Sequence, residues 1–315
     1  MSPMANINDT TENDACYLAL KAHDARSNGC VALGWRPPYD TAAMLGFLRL
    51  RAIPGVERVE EGIYTRTLHL MQDGQEHCGW LSVAFDEAGT QVRVRISDSL
   101  TGVVPTVINR VRAALDLDAD PLAIDAVLHS AFPSGAGLRV PGTVDGFEVA
   151  VRAVLGQQIT VAAARTLGAR LAAAFGQPIT TPLAGMDRLF PTPAALIAAS
   201  GDELGRLGIT RQRQAALKAL AEAVLEGGLV LSPGVDIAAT CARLRALPGI
   251  GDWTAQYIAL RALRWPDTFP AGDVALQKAL GVSSAQAATQ AAQGWRPWRG
   301  YAVLRAWQSL TGQPK

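Results

Sequence analysis

The sequence predicts an α+β fold in which an N-terminal helix lies on an antiparallel sheet and a mostly helical body follows. Three observations carry this. Val92, Val94 and Ile96 alternate with Arg93 and Arg95, the period of a sheet with one wetted face. Beyond Pro105, Val107, Ile108, Val111 and Leu115 recur at helical spacing, and almost no strand signal follows them. At 315 residues and 49% hydrophobic, the chain is long enough to bury a large core in two or three subdomains packed as one body.

Residues 1–30 are polar and weakly patterned and are expected to be mobile, although 15–25 has the composition of a short helix. Order is expected to begin near Trp35, where Pro37 and Pro38 precede Asp40 as an N-cap and Met44, Phe47 and Leu48 form a helical stripe ended by Pro54 and Gly55. Segments with strand character follow at 63–70, 80–85 and 91–97. Helices are legible at 121–132, 147–155, 160–175, 193–200, 212–225, 237–247, 252–263, 274–280 and 300–310. These patterns divide the chain into a leader (1–30), an α/β N-terminal domain (31–118) and a helical region (119–315).

Composition narrows the function classes. No run of about 18 apolar residues is present and the N-terminus lacks the build of a signal peptide, so no membrane partner and a cytoplasmic location are expected. Cys16, Cys30, Cys78 and Cys241 lack the paired spacing of a zinc or iron-sulfur site, so free thiols, no metal and no cofactor are expected. The net charge of +1 hides an asymmetry. Residues 205–315 hold 13 Lys plus Arg against 6 Asp plus Glu, a surplus of +7, and the remainder carries −6. That surplus suits a polyanion partner or a solvated basic face about equally well.

The most informative stretch is Leu247-Pro-Gly-Ile-Gly-Asp-Trp-Thr-Ala255, lying between two predicted helices. Gly249 and Gly251 flank Ile250 in a tight hairpin, and both are expected to take backbone angles that other residues resist. The helix that begins at Asp252 then presents unpaired N–H groups and the positive end of its dipole, which suits a DNA phosphate without regard to base sequence. An ordinary αα-corner has the same local pattern.

With Phe269-Pro-Ala-Gly-Asp273, which follows after a short helix, the stretch resembles the helix-hairpin-helix, Gly/Pro-rich loop and aspartate signature of base-excision glycosylases. Trp35-Arg-Pro-Pro-Tyr-Asp40, Met44-Leu-Gly-Phe47, Arg152-Ala-Val-Leu-Gly-Gln-Gln158 and Trp295-Arg-Pro-Trp298 resemble the bacterial 3-methyladenine DNA glycosylase II (AlkA) family. The likeness runs in order over roughly residues 31–312. It implies a helical helix-hairpin-helix glycosylase body, with the hairpin at about 237–263 and the catalytic loop at 269–273. Segment 15–26 resembles the opening of the Ada methyl-phosphotriester repair domain, but Cys16 and Cys30 alone cannot assemble its four-cysteine zinc site.

The resemblance implies a monomeric, monofunctional enzyme that flips alkylated bases (3-methyladenine and related purines) out of double-stranded DNA and hydrolyses the N-glycosidic bond. Asp273 would stabilise the oxocarbenium-like sugar and orient water, and it also suits the N-cap of the helix starting at Val274. Trp253, Tyr257, Trp298 and Phe47 would line the base pocket, although each alone reads as readily as core. Trp253 and Tyr257, four apart, share a helix face beside the loop. Leu155 would wedge into the base stack, against a plain core reading. Gln157, Gly249, Gly251 and Thr254 would contact DNA. Val274 stands where the enterobacterial pattern carries an aromatic, which implies a thinner pocket wall. Two alternatives stay open: a bifunctional glycosylase/lyase for oxidised bases, whose lysine position is Trp253 here, and a DNA-binding module without activity.

Overall fold

The computed structural model describes residues 30–311, so the Ada-like segment 15–26 lies outside the described residues. Five strands form one antiparallel sheet. They are β1 (Cys30–Gly34), β2 (Glu57–Glu60), β3 (Ile63–Gln72), β4 (Gln75–Asp86) and β5 (Gln91–Ile96), and their order across the sheet is β1-β5-β4-β3-β2. β3, β4 and β5 match the three expected segments. β1 and β2 are additions, and β1 places regular structure ahead of Trp35 by pairing Cys30 with Arg95. Asp73 and Gly74, both at positive φ, join β3 to β4 in two residues, which lengthens both strands beyond their apolar cores.

The alternation read from the sequence sets what each face meets. Val92, Val94 and Ile96 join Leu68, Leu81 and Val83 against Met44 of α1 (Thr41–Arg51) and Val107, Val111 and Leu115 of α2 (Val104–Leu115). Asp40 caps α1 by accepting from Ala43 N at 2.8 Å. The helical body comprises α3 (Pro121–Leu128), α4 (Gly146–Leu155), α5 (Val161–Phe175), α6 (Pro193–Ala198), α7 (Gly201–Arg206), α8 (Arg211–Leu225), α9 (Ile237–Ala246), α10 (Asp252–Arg261), α11 (Val274–Leu280), α12 (Ala285–Ala291) and α13 (Arg299–Thr311). Its main core joins Val151, Val154 and Leu155 of α4 to Leu217 and Leu220 of α8 and to Ala255, Ile258 and Ala259 of α10. The sequence reading lacks α7 and α12. α7 is fixed by a capping box between Ser200 and Glu203 rather than by a long apolar stripe.

Sheet and helical body meet across a buried ionic cluster. Arg66 of β3 pairs with Glu57 of β2 (3.2 Å) and Glu148 of α4 (2.6 Å), while Arg152 of α4 pairs with the same two carboxylates (2.7 and 2.8 Å). Much of the C-terminal basic surplus also serves the fold: Arg264 pairs with Asp116, Arg299 with Asp267 (2.7 Å) and Arg305 with Asp125 (3.0 Å). The count of +7 therefore overstates the charge left for a polyanion. No helix among the described residues is long and apolar enough to cross a membrane.

Candidate active site and nucleic-acid interface

α9, the turn 247–251 and α10 form a helix-hairpin-helix. Ile250 plugs its inner angle, 3% exposed within the main core. Of the two glycines, Gly249 takes the expected left-handed angle and Gly251 does not. Gly249 takes φ +74°, and a Cβ there would stand 3.1 Å from that of Ala216. Gly251 is in ordinary extended backbone (φ −85°, ψ 179°), with open space where a Cβ would point. The turn therefore requires glycine at 249, whereas 251 matters for what approaches from outside. Gly251 is the N-cap of α10 and supplies no side-chain cap, so the first N–H groups of that helix point outward.

The hairpin is braced from within. Gln157 donates to Gly249 O (2.8 Å) and Thr254 Oγ1 (3.0 Å), and Arg213 donates to Gln157 O. Thr254 is 3% exposed, and its hydroxyl is taken up by Gln157, so the side chain is structural. The Gln157 amide and Thr254 hydroxyl, on two of the residues expected to contact DNA, fix the hairpin against the turn after α4.

That turn also corrects the wedge. Leu155 is fully buried, because with Val151 and Val154 it completes the core stripe of α4. Past Gly156 the chain bends outward, and Gln158, at φ +56°, is the exposed side chain beside the hairpin. Gln158 shares one surface depression with Gly249, Gly251, Trp253 and Arg245.

Asp273 is the N-cap of α11, accepting from Leu276 N at 2.6 Å, so the capping expectation is met. Its second oxygen accepts from Trp253 Nε1 at 2.6 Å, and its first also accepts from Trp307 Nε1 at 3.2 Å. Two indoles on different helices, α10 and α13, thus converge on one carboxylate. Trp307 was missed in the sequence. Its signal is its position one turn after Val303, which packs with Phe269 and Leu276 around the Asp273 loop.

Trp253 stacks on Tyr257 with ring centroids 5.3 Å apart and planes at 12°. Arg261 donates to the Tyr257 hydroxyl at 2.9 Å. Burial pushes that phenol up, but the guanidiniums of Arg261 and Arg51 outweigh it and hold the group below the usual tyrosine value. Phe47 of α1 reaches the same wall, with Arg51 3.7 Å and Arg261 4.9 Å from its ring centre. Trp298 does not reach it. It packs edge-on against Tyr301 (5.8 Å) beside Ile124 and Leu128 of α3, on another face of the body. Val274, next to Asp273, is 80% exposed.

Residues 30–145 match the AlkA N-terminal domain, and residues 151–291 match the HhH-GPD superfamily of base excision DNA repair proteins. The chain is 37% identical to DNA-3-methyladenine glycosylase 2 of Escherichia coli K12 over 283 residues, covering 90% of this chain and 98% of that one. The chain belongs to the DNA-3-methyladenine glycosylase 2 family. A Mycobacterium tuberculosis protein described as a probable bifunctional transcriptional activator/DNA repair enzyme AlkA is 36% identical over 331 residues. That likeness takes in 98% of this chain, which spans 65% of the relative. The fold is shared with a 3-methyladenine DNA-glycosylase from Archaeoglobus fulgidus, at a TM-score of 0.73 and 20% identity over 90% of this chain and 98% of that one.

Proposed function

We propose that this member of the family is a monofunctional glycosylase that binds duplex DNA, flips out alkylated purines and hydrolyses their N-glycosidic bond. Residues 31–118 would form the supporting N-terminal domain and the helical region from 119 the glycosylase body. The observation that carries the reading is the Asp273 carboxylate, held by two indole N–H groups at the end of the Trp253–Tyr257 stack and next to an open helix N-terminus.

The chemistry follows from that arrangement. A carboxylate offers about four acceptor positions. Leu276 N, Trp253 and Trp307 take three of them, leaving one that can hold the attacking water. The fixed negative charge stabilises positive charge as it develops on the sugar, without reorganising. A base rotated out of the stack would lie against Trp253, Tyr257 and Trp307, with Phe47 closing the far side. A cationic alkylated purine gains about 0.5 to 2 kcal/mol there from the electron-rich rings. Gln158 would occupy the gap that the base leaves, the role the sequence gave to Leu155.

Methylated duplex DNA incubated with the protein should release 3-methyladenine and related purines, identified by mass. The strand should stay uncut, because Trp253 stands where a lyase has its lysine and offers no amine to form a Schiff base. Borohydride trapping of a covalent protein–DNA adduct would overturn that part of the proposal. Absence of any base release would favour a binding module instead.

The hairpin makes a second prediction that separates folding from binding. Gly249→Ala should lower stability by about 1 to 2 kcal/mol, the cost of left-handed backbone in a non-glycine residue. Gly251→Ala should leave the melting temperature unchanged and weaken affinity for all duplexes alike by about two- to tenfold, the worth of one lost hydrogen bond. A Gly251→Ala variant that bound normally but released a different base would show that the hairpin has another task.

A further inference from the structure

The β3–β4 hairpin brings together three potential metal ligands that lie apart in sequence. His69 and Cys78 are directly opposed across the ladder, and Glu76 stands opposite Met71, two residues along on the same face. Cross-strand neighbours on one face have Cβ atoms about 4.5 to 5.5 Å apart, so the ladder converges their side chains. The donor atoms of His69, Glu76 and Cys78 all lie within 4.8 Å of one another. His69 Nε2 is 2.9 Å from Glu76 Oε1, and Cys78 is a free, half-buried thiol. His69 is 19% exposed and Glu76 48%, so the group is rooted in the sheet yet open on one side.

We propose that His69, Glu76 and Cys78 form a binding site for one borderline-soft divalent cation of the Zn2+ class, with water in the fourth position. A tetrahedral zinc holds N, O and S ligands at about 2.0 to 2.3 Å, so loading draws the three side chains inward by about an ångström. Imidazole with thiolate selects Zn2+ or Co2+ over Mg2+ and Ca2+, which prefer all-oxygen sites. The charges balance, because thiolate and carboxylate together carry −2 against the ion's +2. Loading releases the Cys78 proton to solvent and replaces the His69–Glu76 contact with two bonds to metal.

The site lies on β3 and β4, which carry none of the residues around Asp273. An ion there cross-links the two strands beside the Asp73–Gly74 turn and leaves the base-release chemistry alone, so the proposal stands or falls separately from the enzymatic one.

Co2+ titrated into the full chain, after metal removal with a chelator, tests it. One equivalent should bring up a near-ultraviolet thiolate-to-cobalt band that Zn2+ abolishes. Cys78→Ser should remove the band, and Glu76→Gln should weaken Co2+ binding by at least about tenfold. Zn2+ should raise the melting temperature of the parent protein but not of Cys78→Ser. Circular dichroism confirms that each variant is folded, and the base-release rate should not change in any of them. A parent protein that gives no band, or a band that persists in Cys78→Ser because another cysteine supplies the thiolate, would overturn the site.

Discussion

Asp273→Asn should reduce base release by on the order of a hundredfold or more while leaving the protein folded and able to bind DNA. Asparagine nearly preserves volume, and its side-chain oxygen can still cap α11 through Leu276 N. What it cannot do is accept from every donor now aimed at the carboxylate. One of Trp253, Trp307 or the Leu276 amide then faces an NH2 group, at a cost of about 1 to 3 kcal/mol for the unsatisfied donor. The expected signature is therefore a drop of a few degrees in melting temperature beside a far larger loss of rate. The loss should be steepest for neutral damaged bases, because a cationic alkylated purine is already a good leaving group and needs less help. Single-turnover release from paired substrates, one carrying a cationic and one a neutral lesion, measures this. Near-parental rates on the cationic substrate, with another acidic residue proving essential, would reduce Asp273 to a helix cap.

How much of this was legible in the sequence depends on how local each feature is. The alternation of Val92, Val94 and Ile96 and the stripe of Val107, Val111 and Leu115 meet in one core, as their periods require. β1 and β2 were not legible. They are five and four residues long, and β2 places a charged Glu57 at a buried position that reads as solvent-facing until Arg66 and Arg152 are brought to it. The pairing of Trp253 with Tyr257 needs only one helix face and was found. Trp307 meets Asp273 because α13 packs on α11; its one-turn spacing from Val303 marks it as core-facing but does not say which loop it meets. Trp298 and Leu155 were misplaced for related reasons. Each lies close in sequence to the motif, but Trp298 faces α3, and Leu155 belongs to the buried stripe that ends one residue before the chain turns out to Gln158.

The largest expected effect on stability comes from Glu57→Gln. Glu57 is buried and accepts from Tyr64 (2.6 Å), Arg66 (3.2 Å) and Arg152 (2.7 Å), so two guanidiniums share two carboxylates at the seam between sheet and helical body. Removing one negative charge leaves Arg66 and Arg152 with Glu148 alone, and breaking a buried pair in this way typically costs about 3 to 5 kcal/mol. At roughly 2 to 4 °C per kcal/mol, the melting temperature at neutral pH should fall by on the order of 10 °C. The pH dependence identifies the cause. Burial pushes the Glu57 carboxyl up, but Arg152, Arg66 and Tyr64 outweigh it and hold the group at about 2. A carboxyl depressed on folding contributes stability that is fully present above its unfolded value of about 4.3 and is lost as pH falls toward its folded value. The gap between parent and Glu57→Gln should thus be constant near neutrality and narrow as pH drops from about 4.3 toward 2. The effect should also reach the pocket, because Arg152 donates to Arg51 O and Arg51 lies against Phe47. A gap that stayed the same at pH 3 as at pH 7 would mean that Glu57 holds this seam by shape and neutral hydrogen bonds rather than by its charge.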